Sequence, residues 1–332
     1  MANLDGQFAN RPSPLDFRTK VPYYYIMNKT TSKNLHLEHP EDSILTGDLS
    51  VLNWFTAKST ISVKIDGAPA VVFGTDPETG RFFVGTKSVF NKKKIKVNYC
   101  VEDILRNHGN TVCVAEILIA CFNNLPRIDG IIQGDFIGYG GNDTYRPNTI
   151  TYKFPNCVEE AIIFAPHTTY SGANLRECVA SFGVDVPECE NVKWVQPKAQ
   201  ISAFLDDIED TCKFAKQIAT LATFVNEKQA KELKKIINRY IREDVEIDEV
   251  GEYDIASECG CDVNLIRLWK LVASIKQDMF CFIESDTDIE CYINDIRSDH
   301  EGYVMTNEFG TYKIVDREVF SHANFTCAKN WS

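Results

Sequence analysis

Hydrophobic and polar positions divide the chain into three stretches of different period. From about residue 60 to 170, short runs rich in β-branched and aromatic residues recur: STISVKIDG, AVVFG, RFFVGTKSVF, VCVAEILIA, GIIQGDFIGYG, TITYKFP and EAIIFAP. Turn chemistry such as TDPETGR and GYGGND separates them, which predicts a strongly bent, mostly antiparallel sheet system with a few helices. From Pro197 to about Asp278 the period becomes helical. AKELKKIINRYIRED places Leu233, Ile236, Ile237, Tyr240 and Ile241 on one face with lysines and arginines opposite, and VNLIRLWKLVASIKQDMF repeats the pattern. The acidic stretch EDVEIDEVGEYD connects the two. Strand character returns in HEGYVMTNEFGTYKIVDREVF, where YVMT, a turn at NEFG and TYKIV predict a hairpin.

The fold class read from this pattern is α+β. The expected segments are an N-terminal extension packed on the core (residues 1–60), a β-rich core (61–196), a helical insertion (197–290) and a C-terminal hairpin that completes the core (291–332). No internal repeat is visible.

Composition narrows the class. The 332 residues, 44% hydrophobic and 25% charged, can bury a sizeable core and are ordinary for a soluble protein. No run approaches the ~20 apolar residues of a membrane helix. The N-terminus lacks a basic region followed by an apolar one, so no secretory signal and a cytoplasmic location are expected. On that basis the twelve cysteines read as reduced small hydrophobes. Cys259 and Cys261 lack the second pair that a zinc site needs. A net charge of −12 argues against non-specific coating of nucleic acid. The basic stretch KSVFNKKKIK, residues 87–96, fits a local nucleic-acid contact and a solvated face equally.

Candidate chemistry begins in TISVKIDGAPAVVFG, residues 60–74. Lys64 ends a strand among Ile61, Val63 and Ile65, where desolvation and nearby cations would lower its pKa and expose a neutral nucleophile. Asp66 and Gly67 permit a sharp turn close to a ligand. On KIDG alone, a half-exposed strand lysine before a β-turn is the simpler reading.

The wider pattern changes that. KIDGAPA matches the nucleotidyl-lysine motif K-x-D-G of the covalent nucleotidyltransferase superfamily, the ATP-dependent DNA and RNA ligases and mRNA-capping enzymes, and the chain resembles an RNA-ligase-type member. Further motifs follow in the family's order. GTKSVF resembles the strand whose basic residue, here Lys87, contacts the nucleotide phosphate. IIQGDFIGYG resembles the motif whose carboxylate, here Asp135, grips the ribose. TYKFP resembles the motif whose aromatic residue, here Tyr152 or Phe154, stacks on the base. EGYV resembles the motif whose carboxylate, here Glu301, serves the metal, and TYKIV the one whose lysine, here Lys313, contacts the α-phosphate. The resemblance covers residues 61–315 outside the helical stretch.

This resemblance implies a nucleotidyltransferase fold and an ATP-dependent polynucleotide ligase. Lys64 would become a lysyl-AMP, with Asp66, Lys87, Asp135 and Lys313 at the nucleotide and Mg²⁺ or Mn²⁺ at Glu301. AMP would pass to a 5′-phosphate and be displaced by a 3′-hydroxyl, with RNA favoured over DNA as the partner. Such a chain suits a phage or microbial enzyme of nucleic-acid repair, working in the host cytoplasm if phage-encoded. The alternatives are a DNA ligase, another AMP-transferring enzyme and a non-catalytic nucleotide-binding module.

The chain departs from the family pattern at four places. Asp135 stands where Glu is usual, and Val315 where a second lysine often follows Lys313. Val63 stands where a Glu that reads the adenine amine often precedes the nucleophile. Only 19 residues follow Lys313 in the 332-residue chain, too few for a C-terminal OB domain.

Among other candidates, Glu116 in VCVAEILIACF rivals Asp135 for the ribose, but a glycine precedes Asp135. His36 and His39 in HLEH are too close in sequence for one helical face and read as loop chemistry. His300 could neighbour the metal, and His167 is either a nucleotide contact or a core histidine. The acidic connector would repel a phosphate backbone, so it would cover the cleft or bind a protein.

Overall fold

In this computed structural model, residues 37–317 are described, except 294 and 299. The N-terminal extension up to His36 and the end of the C-terminal segment lie outside the described residues.

The alternation in TISV becomes strand β1 (Thr60–Val63), which buries Ile61 and Val63 and turns Thr60 and Ser62 outward. Among the described residues the remaining strands are β2 (Ala70–Thr75), β3 (Phe82–Gly85), β4 (Ile131–Tyr139), β5 (Thr144–Tyr145), β6 (Ile150–Lys153), β7 (Ile162–Ser171), β8 (Val179–Phe182), β9 (Val192–Trp194), β10 (Lys198–Ile201), β11 (Ile283–Ser285), β12 (Glu290–Ile293), β13 (Ile296–Ser298), β14 (Gly302–Asn307) and β15 (Gly310–Val315). They form three sheets, ordered β11-β10-β1-β14-β15, β13-β12-β6-β5 and β3-β2-β4-β7-β8, with β9 parallel to β7 and the other pairings antiparallel. The helices are α1 (Pro40–Ser43), α2 (Val51–Trp54), α3 (Val101–His108), α4 (Val112–Asn124), α5 (Asp206–Ala219), α6 (Glu227–Arg242), α7 (Glu249–Cys259) and α8 (Val263–Cys281). The class is α+β, with antiparallel sheets. No helix among the described residues is long and apolar enough to cross a membrane.

The C-terminal hairpin forms as its pattern predicts, with Val304 opposite Lys313. Two stretches differ from their expected form. VCVAEILIA is the helix α4, whose Ala115, Leu118 and Cys121 are buried against the third sheet's core at helical spacing. An apolar run alone does not distinguish strand from helix, and the length of this one decides for helix. RFFVGTKSVF stops being strand at Gly85. Thr86 then caps a 3₁₀ turn over Lys87–Phe90 by accepting a 3.3 Å bond from the Ser88 amide.

The helical stretch is narrower than residues 197–290. Helices α5 to α8 run from Asp206 to Cys281, and the residues around them are β10 and β11, which pair with each other in the sheet of β1. The chain leaves the sheet by one strand and re-enters by its neighbour. Leu233 and Ile237 of α6 are fully buried with Ile61 and Val63 in one hydrophobic cluster, so these helices share the core of the β1 sheet.

Residues 37–59 pack on the same unit. Trp54 and Phe55 are fully buried, and the Trp54 indole donates to the Gly310 carbonyl at 3.2 Å. Glu41 and Asp42 of α1 are buried with their counter-charges. Lys276 donates to Glu41 at 2.6 Å, and Arg317 donates to Glu41 at 3.0 Å and to Asp42 at 2.8 Å. The Trp269 indole adds a 3.1 Å bond to Asp42. Buried charges require such pairing, and here it ties α1 to α8 and to the chain just beyond β15.

Candidate active site

The end of β1 is fixed from both sides. The Val63 amide donates to the Pro197 carbonyl at 2.9 Å and the Lys64 amide to the Gly302 carbonyl at 2.8 Å. This aims Lys64 into a cleft of about 2270 Å³ between the β1 sheet and the β4–β7 sheet, also lined by residues of α6 and of the segment before α1.

The turn after Lys64 is held against β4. Asp66 donates its amide to the Tyr152 hydroxyl at 2.9 Å, and that hydroxyl donates to the Asp66 carbonyl at 3.1 Å. Asn148 donates to the Asp66 carboxylate. The Gly67 amide points at Asp135 Oδ2, 3.4 Å away, and the Ala68 amide donates to the Phe136 carbonyl at 2.9 Å. A Cβ on Gly67 would stand 2.5 Å from the Phe136 carbonyl oxygen and 2.7 Å from Ile137 Cδ1. Close approach, not backbone angle, is what demands glycine in KIDG.

Lys64, Asp66, Lys87, Asp135 and Lys313 all line this cleft. Glu301, at the entry to β14, accepts a hydrogen bond from Lys64 Nζ, and Asp66 Oδ1 lies 3.7 Å from the same nitrogen. Lys313 sits on β15, its amide donating to the Glu38 carbonyl at 3.2 Å. Lys87 is exposed at the first position of its 3₁₀ turn rather than on a strand. The other lysines of the KSVFNKKKIK stretch do not line the cleft.

Tyr152 and Phe154 do not line the cleft either. Both are buried: Tyr152 supports the Asp66 turn from below, and Phe154 meets Tyr145 edge-on at 5.6 Å between ring centroids. Strand β6 belongs to the sheet of β12, which places these rings behind the turn. The ring that does line the cleft beside Asp135 is that of His167, its Nε2 3.8 Å from Asp135 Oδ1. Glu116 is exposed on α4 and outside the cleft, which removes it as a rival to Asp135. His39 directly precedes α1 and is mostly buried, and burial followed by the charge of Arg317 keeps it neutral. His300 is engaged with the Cys291 thiol at 2.9 Å.

The electrostatics reverse one expectation. Burial works to lower the Lys64 pKa, but Glu301 and then Asp66 outweigh it, so the net shift is upward. Lys313 is lowered, first by burial and then by the charge of Lys64. Burial raises Asp66 against the pull of Lys64.

Among the described residues no group of three or more His, Cys, Asp or Glu is arranged to hold a metal by itself. Glu301 and Asp66 together, both beside Lys64 Nζ, fit a different requirement: Mg²⁺ at a phosphate is held by one or two carboxylates plus the substrate's own oxygens.

Gln133, Thr168 and Tyr170, none of them a candidate from the motifs, form a polar group on β4 and β7. Gln133 and Thr168 line the cleft although both are almost fully buried. The signal was present: Gln133 is a polar residue inside the apolar run IIQGDF, two positions before Asp135.

The chain belongs to a family described as a family of unknown function (DUF6267), which matches residues 34–255 and 253–329. No curated protein and no solved structure matches it.

Proposed function

We propose that the chain is a covalent nucleotidyltransferase of the ligase type, using ATP to seal polynucleotide ends, with RNA as the substrate class. The observation that carries this reading is convergence. Residues 64, 66, 87, 135 and 313, drawn from motifs far apart in sequence, line one cleft, with Glu301 hydrogen-bonded to Lys64. A solvated strand lysine needs no such company. The nucleotidyltransferase fold is part of the same proposal, supported by a cleft between two antiparallel sheets with Lys64 where β1 ends.

In this reading Lys64 gives up its proton to solvent, and the neutral amine attacks the α-phosphorus of ATP. The new N–P bond forms as the bond to pyrophosphate breaks. Such transfers need positioning and neutralisation of spread negative charge more than covalent help. Lys313 and Lys87 supply fixed positive charge on opposite walls, and Asp135 accepts a ribose hydroxyl. A bound Mg²⁺ or Mn²⁺, held by Glu301 and Asp66, would neutralise phosphate charge. AMP then passes from Lys64 to a 5′-phosphate, and a 3′-hydroxyl displaces it to leave a phosphodiester.

The test is sealing of 5′-phosphorylated, 3′-hydroxyl RNA by the purified chain with ATP and Mg²⁺ or Mn²⁺, beside Lys64→Ala. Sealed product and an AMP-capped intermediate, both absent with Lys64→Ala, are expected. Sealing of nicked DNA in preference to RNA would overturn the substrate class, and sealing by Lys64→Ala would overturn the mechanism.

A further inference from the structure

The floor of the cleft beside Asp135 carries a hydrogen-bonded chain whose direction can be worked out. Strands β4 and β7 shift register there: Gln133 pairs with Thr168 and Gly134 with Pro166, leaving His167 as an extra residue. Such a bulge re-aims side chains, commonly beside active sites. Gln133, Asp135, His167 and Thr168 all line the cleft.

Tyr170, buried, donates its hydroxyl to Gln133 Oε1 at 2.8 Å. Burial pushes its pKa up to about 12, so it stays a donor throughout the working pH range. Gln133 Oε1 is thereby engaged as an acceptor, and its Nε2 carries only donors. The His167 ring nitrogen 3.4 Å from Gln133 Nε2 must then accept, which puts the ring proton on Nδ1. Nδ1 is 2.6 Å from Thr168 Oγ1 and donates to it. Two donors remain unused in this chain, the second Nε2 hydrogen of Gln133 and the Thr168 hydroxyl hydrogen. Beside them stands one carboxylate acceptor, Asp135.

We propose that Gln133, oriented by Tyr170, is a specificity-determining residue that together with Asp135 recognises the vicinal hydroxyls of a ribose. This inference rests on the proposed nucleotide site and adds Gln133, with Tyr170 behind it, to the ribose contact already given to Asp135. Each ribose hydroxyl both donates and accepts. One donates to the Asp135 carboxylate, while its neighbour accepts from Gln133 Nε2. A deoxyribose leaves one of these buried groups without a partner, and sites built to bind a hydroxyl reject analogues that lack it. Tyr170 is a positioning residue, because it acts only by fixing the Gln133 amide.

The test measures binding, so that it does not depend on covalent chemistry. ATP, 2′-deoxy-ATP and 3′-deoxy-ATP are titrated by calorimetry into Lys64→Ala, alone and combined with Gln133→Leu or Tyr170→Phe. At least one deoxy analogue is expected to bind about a hundredfold more weakly than ATP, the cost of one unpaired buried donor. Both added substitutions are expected to narrow that ratio at least about tenfold. Tyr170→Phe keeps the ring and the packing, so a changed ratio there is not a folding effect. Equal affinity for all three nucleotides, no nucleotide binding, or a ratio unmoved by both substitutions would overturn the proposal. Nitrogen NMR of His167 gives an independent reading: a proton on Nδ1 is expected, and one on Nε2 would contradict the direction of the chain. Selective binding without any AMP adduct on the wild-type chain would retire the ligase reading and leave the ribose site standing.

Discussion

The ammonium of Lys64 donates a hydrogen bond to the carboxylate of Glu301, a residue 237 positions further along the chain. Because Glu301 and Asp66 outweigh burial, the Lys64 pKa stands above its ordinary value. Below that pKa the neutral fraction rises tenfold per pH unit. In the metal-free chain the Lys64 amine should therefore still be protonated at about pH 9, which nitrogen NMR of its ammonium checks. A neutral amine at that pH would contradict the pairing. The linkage has a definite sign. The pair's contribution to stability is fully present below the unfolded lysine pKa of about 10.4, and is lost as pH rises through the higher folded value.

Lys276 and Glu41 are 5% and 0% exposed, so their ion pair is unlike those at the surface. Lys276→Met leaves Glu41 with Arg317 alone and should cost about 3–5 kcal/mol, the usual penalty for breaking a buried pair. Lys234→Ala, which removes a partly exposed partner of Glu38, should cost less than about 1 kcal/mol. Urea denaturation of the two variants checks both values. Equal losses would mean that the buried network is not what holds α1 to α8.

Gly67 has no room for a methyl group, since the Phe136 carbonyl oxygen would lie 2.5 Å from its Cβ. Gly67→Ala should destabilise the fold by about 1–3 kcal/mol through overpacking. It should also impair AMP transfer by more than that loss explains, because the turn carrying Asp66 must lift from β4. Measuring stability and transfer rate on the same preparation separates the two effects. Unimpaired transfer would show that the turn's seat on β4 is not needed for chemistry.

What the sequence disclosed was the set of residues whose charge interrupts an apolar pattern. KIDG, GDF, EGYV and YKIV each display a charge inside an apolar strand, an exception that stands out against the alternation. Geometry that depends on a partner strand was hidden. Tyr152 reads as a ring available for stacking, yet β6 lies behind the turn and turns that ring into a support. Lys87 reads as a strand residue because nothing in GTKSVF marks where pairing with β2 ends. The buried network was invisible for the opposite reason. Nothing beside Glu41 and Asp42 in HPEDS marks them for burial, and their partners Lys276 and Arg317 lie more than 230 residues away. The bulge at His167 likewise exists only as a mismatch between two strands.

The most direct measurement is the intact mass of the purified chain after incubation with ATP and Mg²⁺ or Mn²⁺, beside Lys64→Ala, with the modified peptide mapped. An added mass of one AMP per chain is expected, located on Lys64 and absent from the variant. A folded chain that takes up no nucleotidyl group and carries none from its preparation, or that carries AMP on a residue other than Lys64, would contradict it.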